Sequence, residues 1–156
     1  MKHAPDELVI RPARSEDAEA VADVWLASFK ATYAFPPAHP DEDVRRWIRD
    51  EIVLREETFV AVEADGSIAG FMSLRGDDLD HLYIRPNRFG RGIGSRFVEL
   101  AKRLRPGGLW LYTFQVNDRA RAFYEGRGFR VEFLGKGESN EERQPDVRYV
   151  WRPDSK

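Results

Sequence analysis

The chain has 156 residues, 42% of them hydrophobic and 33% charged, with a formal net charge of −2 and no cysteine. That length suits one domain, residues 1–156, with a substantial core; the near-neutral charge gives no overall pull toward nucleic acid, and no apolar run approaches the span of a bilayer. Lack of cysteine excludes disulfides, thiolate metal sites and an acyl-cysteine intermediate.

Met1 to Glu7 are polar, with no signal-peptide core, which points to a cytoplasmic protein without membrane contact. Leu8 to Arg11 reads as a first strand. Ser15 supplies an N-cap, with Glu16 and Asp17 as acids of the first helical turn. The helix then shows Ala18, Val21, Ala22, Trp25, Ser28 and Phe29 on one face. Phe35 to Pro40 is punctuated by prolines and cannot be helical. A second helix starts near Asp41, with Val44, Trp47, Ile48 and Ile52 inward. Thr58 to Glu63 and Ser67 to Leu74 are strands joined at Ala64, Asp65 and Gly66, a hairpin signal.

Leu79 to Arg85 is the next strand, and the stretch after it carries the most chemistry. Gly90, Gly92 and Gly94 lead into a helix with Ile93, Phe97, Leu100, Ala101 and Leu104 on one face. The first turn of a helix has unpartnered N–H groups at its positive end, and glycines let a phosphate approach the main chain. A nucleoside triphosphate loop needs Lys and then Ser or Thr after its last glycine, but Gly94 is followed by Ser95 and Arg96. The dinucleotide fingerprint fails in both registers, because Ser95 or Phe97 stands where the third glycine is required. A tight strand-to-helix turn that binds nothing is the plain alternative.

Pro106, Gly107 and Gly108 end that helix, and Leu109 to Phe114 reads as a buried strand. The strand, helix and strand form a crossover, hence a parallel pair. Asn117 caps a short helix carrying Ala120, Phe123 and Tyr124, which stops at Gly126 to Gly128. Phe129 to Leu134 is a further strand, Gly135 to Asp146 a charged loop, and Val147 to Trp151 the last strand. No repeat or linker interrupts this order. From Arg85 to Arg105, Arg85, Arg88, Arg91, Arg96, Lys102, Arg103 and Arg105 face only Glu99, whereas acids dominate from Asp41 to Asp65. His3, His39 and His81 are scattered and not at metal-ligand spacing, so no metal is expected.

In this order and spacing the chain resembles the GNAT superfamily of acyl-CoA-dependent N-acetyltransferases over essentially its whole length. The features are Ile10-Arg11-Pro12-Ala13 before the Asp17 helix, Leu82-Tyr83-Ile84-Arg85-Pro86 leading into Gly90-Arg91-Gly92-Ile93-Gly94, and Asn117 with Ala120, Phe123, Tyr124, Gly128 and Phe129. The resemblance implies an α/β fold built on a mixed α+β sheet, about seven strands flanked by four helices. Its fourth and fifth strands splay apart and acyl-CoA sits in the gap. One position departs from the family pattern: Phe89 stands where Arg or Gln is usual, with Arg88 one step earlier.

The resemblance further implies transfer of an acetyl group from acetyl-CoA directly to a primary amine of a small molecule or peptide. A non-catalytic acyl-CoA-binding module is the alternative. By resemblance, Leu82, Tyr83, Ile84, Phe89, Gly90, Arg91, Gly92, Ile93, Gly94, Ser95 and Asn117 contact the coenzyme, with main-chain N–H groups near Tyr83 and Ile84 polarising the acetyl carbonyl. Tyr124 matches the family tyrosine near the sulfur; as residues, Phe123 and Tyr124 also read as an aromatic pair packing a helix. Asp80 and His81 are candidate bases on one strand, where alternation lets only one face the acceptor; a water is the third option. Trp25, Phe29, Tyr33, Phe35, His39 and the segment Glu138 to Asp146 are expected to shape the acceptor pocket, aromatic and acidic enough to favour a cationic amine. A homodimer is an open expectation.

Overall fold

The computed structural model describes residues 8–153, so His3 and the Met1 to Glu7 stretch lie outside the described residues. The elements are β1 (Val9–Pro12), α1 (Ala18–Thr32), α2 (Asp41–Trp47), β2 (Glu57–Val62), β3 (Ile68–Arg75), β4 (Asp78–Ile84), α3 (Ile93–Leu104), β5 (Leu109–Phe114), α4 (Asp118–Glu125), β6 (Arg130–Leu134) and β7 (Asp146–Trp151). They form one mixed seven-stranded sheet, as the resemblance implied, and its strand order is β1-β2-β3-β4-β5-β7-β6. Among the described residues β4 and β5 are the one pair of neighbouring strands that runs parallel, joined by the crossover through α3.

Strand alternation divides the core between the two faces. Val60 and Phe71 turn toward Val21, Trp25 and Phe29 of α1 and Ile48 after α2. Ala61 and Met72, their neighbours in sequence, turn instead toward Phe97 and Ala101 of α3 and Tyr149 of β7. The sheet is therefore buried on both sides, and α1 and α3 are fixed against opposite faces of β4.

Two local expectations change. Asp17, not Ser15, organises the start of the first helix: its carboxylate accepts from the Arg14 N–H at 2.7 Å and from the Arg11 guanidinium at 2.8 and 3.1 Å. Trp47 is 37% exposed rather than inward. After α2 the chain widens into a π-helical stretch over Ile48–Val53, which alters the angular spacing of side chains. Val44, Ile48 and Ile52 keep the inner face, and Trp47 moves to the rim, edge-on to Trp25 at 5.9 Å.

Two irregularities of β4 create the site. The parallel contact with β5 is confined to Asp78 opposite Trp110, after which the strands diverge. On the other edge, Ser73 pairs with His81 and Leu74 with Leu79, which leaves Asp80 opposite no residue: a β-bulge.

Candidate active site

The divergence of β4 from β5 opens a cleft of about 740 Å³. Leu82 to Ile84, Phe89 to Ser95, Asn117 and Tyr124 all line it, so the residues read as coenzyme contacts lie around one cavity. Arg85 donates its N–H to the Ala69 carbonyl at 2.8 Å, and strand alternation then turns the Tyr83 N–H to β3 as well. The main-chain donors that face the gap are those of Leu82 and Ile84. That corrects the choice of Tyr83 as a donor.

At the other end of the cleft, Gly90 and Gly92 adopt φ of 77° and 82°, a conformation costly for any residue with a Cβ. Gly94 is required for a different reason: a Cβ there would come within 3.0 Å of the Phe123 ring. The first main-chain bond of α3 runs from Arg96 N–H to the Gly92 carbonyl at 3.2 Å, so the amides of Ile93, Gly94 and Ser95 have no partner inside the helix. The basic excess counted in sequence is thinner in space. Arg85 and Arg88 both pair with Glu63, at 2.7 and 2.9 Å, while Arg127 donates to the Ser95 hydroxyl at 3.0 Å and lies over Phe123 at 3.9 Å. Arg91 is exposed and makes no ion pair among the described residues. Phe89, the position that departs from the family pattern, stacks under the Arg119 guanidinium at 4.2 Å.

Tyr124 satisfies both of its readings. Its ring packs edge-on against Phe123 and Phe129, at 5.1 and 5.4 Å, and it also lines the cleft. It is 7% exposed, and burial pushes its phenol above the ordinary tyrosine range, so it holds its proton at neutral pH. Asn117 caps α4, its Oδ1 accepting from Ala120 N–H at 3.0 Å, and its Nδ2 donates to the Tyr33 hydroxyl at 2.9 Å.

The bulge overturns the expectation that Asp80 and His81 point to opposite faces. With the alternation broken, Asp80 Oδ2 comes 3.3 Å from His81 Nε2, without hydrogen-bond alignment. A third group joins them that sequence reasoning missed: Glu56, ahead of β2, whose carboxylate lies within 4.8 Å of both. Burial pushes the Glu56 carboxyl up, and the neighbouring Asp80 carboxylate adds to the shift. Burial acts on Asp80 in the same sense, but the adjacent His81 first, and then Glu56, outweigh it and hold that carboxyl below its ordinary range. Nothing in the sequence around Glu56 signals this contact, because it depends on the register between three strands. Two carboxylates and an imidazole are also a donor set that could hold a cation, a grouping that histidine spacing cannot show.

Of the expected acceptor residues, Trp25 and His39 line a second cleft of about 360 Å³ with Asp43, Trp47, Glu141 and Glu142. His39 Nε2 sits 3.0 Å from Glu141 Oε2 across it. Neither Asp80 nor His81 lines either cleft; His81 sits behind the wall of the second one, its ring edge-on to Trp47 at 5.2 Å. Tyr33 lines the larger cleft instead. Phe29 and Phe35 line neither and are corrected to packing residues. Phe29 is 2% exposed and stacks on Trp25 at 4.9 Å, while Phe35 folds back onto Tyr33 at 5.0 Å and Phe114 at 5.4 Å.

Residues 19–129 match the model of the acetyltransferase (GNAT) family. The chain belongs to that family. One relative is the peptidyl-lysine N-acetyltransferase YjaB of Salmonella typhimurium, 32% identical over 136 residues, covering 87% of this chain and 91% of the relative. The solution structure of apo-form YjaB from Escherichia coli superposes with a TM-score of 0.77 at 28% identity, over 92% of this chain and 97% of that one. The PaiA N-acetyltransferase from Thermoplasma acidophilum, solved with coenzyme A, shares the fold with a TM-score of 0.68 at 23% identity, over 94% and 99% of the two chains. As a GNAT protein with relatives named for this activity, the chain is an N-acetyltransferase. No helix among the described residues is long and apolar enough to cross a membrane.

Proposed function

We propose that the enzyme transfers the acetyl group of acetyl-CoA directly to a cationic primary amine, with a lysine side chain of a peptide as the favoured acceptor. The observation that carries this reading is the gap between β4 and β5, which ends on the glycine loop at the start of α3. A diphosphate suits the unpartnered amides of Ile93, Gly94 and Ser95, and Arg91 adds a free positive charge beside them. The pantetheine arm then extends along Leu82 to Ile84 toward Tyr124.

The chemistry assigns one task to each group. Leu82 and Ile84 N–H groups face the acetyl carbonyl oxygen and stabilise the negative charge it gains as the amine nitrogen adds to carbon. Asp80 and His81 take the proton that the ammonium must lose. As the carbon–sulfur bond breaks, Tyr124 gives its proton to the departing thiolate and recovers one from solvent. The acceptor arrives through the tryptophan cleft, where Asp43, Glu141 and Glu142 attract a cation and Trp25 and Trp47 flank its stem. The YjaB relatives, named for peptidyl-lysine, support this choice of acceptor.

Calorimetry with acetyl-CoA and a thiol-release assay over lysine peptides, polyamines, amino acids and aminoglycosides test the reading. Binding of acetyl-CoA and turnover with lysine peptides are expected. No heat with any coenzyme A derivative would remove the coenzyme assignment, and turnover with neutral acceptors alone would remove the cationic one.

A further inference from the structure

Glu56 lies outside both clefts, where the turn after the π-helical stretch enters β2. Its carboxyl nonetheless reaches over Ser73 of β3 to the bulge of β4, within 4.8 Å of Asp80 and His81. Three buried polar atoms meet here without an aligned partner: Glu56 Oε1, Ser73 Oγ and His81 Nε2. Arg75, the nearest cation on β3, points outward to Asp78 at 3.0 Å, and no Lys or Arg pairs with Glu56 or Asp80 among the described residues. Two ionised carboxylates this close and this poorly hydrated repel each other, and neither can donate a hydrogen bond. A proton held by one of them removes both difficulties at once.

We infer that Glu56 is a positioning residue for the proton-accepting pair: in its acid form it donates a hydrogen bond to Asp80, fixing that carboxylate beside His81, whose imidazole takes the acceptor's proton. This rests on the reading of Asp80 and His81 as that pair. The Glu56 proton is not consumed; the proton taken from the ammonium goes to Asp80 and His81 and leaves to solvent. Glutamine at position 56 can imitate the acid, because its amide N–H also donates. Alanine cannot. The titratable and charged groups that face Glu56 are Asp80 and His81 from β4 and Arg75 from β3, with Asp78 beside Arg75. Burial and Asp80 together keep Glu56 protonated to about pH 8. Above that, wild-type enzyme loses its donor, whereas Glu56→Gln does not.

The test compares kcat and KM of wild type, Glu56→Gln and Glu56→Ala with acetyl-CoA and a lysine peptide from about pH 6 to about 9.5, with melting curves and acetyl-CoA Kd as controls. At neutral pH, Glu56→Gln is expected to keep kcat/KM within about threefold, and Glu56→Ala to lose roughly 10- to 100-fold, chiefly in kcat. The ratio of wild type to Glu56→Gln, which cancels ionisation of the peptide amine, should be flat in acid and fall by about threefold or more above pH 8. A normally folded Glu56→Ala enzyme with wild-type turnover, a flat ratio throughout, or equal damage in both variants would overturn the inference. So would tight zinc binding by wild type that Glu56→Gln abolishes, since a metal would then occupy the place given to the proton. If Asp80→Asn and His81→Gln both keep full turnover, the base reading itself fails and Glu56 falls with it. If they lose turnover and Glu56→Ala does not, only Glu56 falls.

Discussion

The amide nitrogen of Asn117 donates to the hydroxyl of Tyr33 at 2.9 Å, which ties the start of α4 to the end of α1 across the mouth of the larger cleft. The same side chain caps α4 through its oxygen, so one residue sets both the helix and its distance from α1. Asn117→Ala should lose the cap and the tie together, about 1–2 kcal/mol by denaturant unfolding. Tyr33→Phe removes the tie alone and should cost about 0.5–1.5 kcal/mol. If the two variants are equally stable, the cap contributes nothing here.

Gly92 occupies the left-handed region at φ 82°, and a Cβ there would meet nothing within 4 Å, so backbone strain alone opposes a side chain at this position. Gly92→Ala should destabilise the fold by about 1–2 kcal/mol and weaken acetyl-CoA binding further, because relaxation of the loop swings the amides of Ile93 to Ser95 out of line. Calorimetry and thermal melts separate the two effects. Unchanged coenzyme affinity in a destabilised variant would show that the loop amides do not hold the ligand.

Tyr124→Phe keeps the ring that packs on Phe123 and Phe129 and removes only the hydroxyl. We expect kcat to fall by roughly 10- to 100-fold with little change in KM or melting temperature. A chromogenic thiol assay reads the loss directly. Wild-type kcat in a normally folded variant would leave the ring as packing and return protonation of the thiolate to solvent.

Local rules decide what is legible in the sequence. The hairpin at Asp65-Gly66, the crossover from Ile84 to Leu109 and the Asn117 cap follow from turn chemistry, helix periodicity and a single side chain, and the structure has all three. The lining of the larger cleft is legible for the same reason, since Gly90 to Ser95 are contiguous and Leu82 to Ile84 closely precede them. Register is not legible. The bulge at Asp80 arises between β3 and β4, and it alone decides that Asp80 and His81 share a site and that Glu56 can reach them. Trp47 escapes for a related reason, because helical periodicity assumes an α-helix and the turn that follows it is wider. Phe29 and Phe35 show the converse error: aromatic residues close to a pocket in sequence look like its lining although they complete the core beneath.

Asp78 stands where β4 and β5 part, opposite Trp110, and its buried carboxyl is pushed up to about 6 by burial first and by the charge of Asp80 second, against the pull of Arg75 at 3.0 Å. The sign of the consequence follows from linkage. A carboxyl whose folded value lies above its ordinary one contributes stability that is complete below the ordinary value and is lost as pH rises through the folded value. Wild type should therefore lose stability relative to Asp78→Asn between about pH 4 and about pH 6, by an amount on the order of 2–3 kcal/mol. Asparagine stays neutral throughout, so the difference between the two proteins isolates this group from every other carboxylate. Urea unfolding at closely spaced pH values measures it. A difference that does not change with pH across this window would mean that Asp78 titrates as it does in the unfolded chain, and that Arg75 fully offsets the cost of burying its charge.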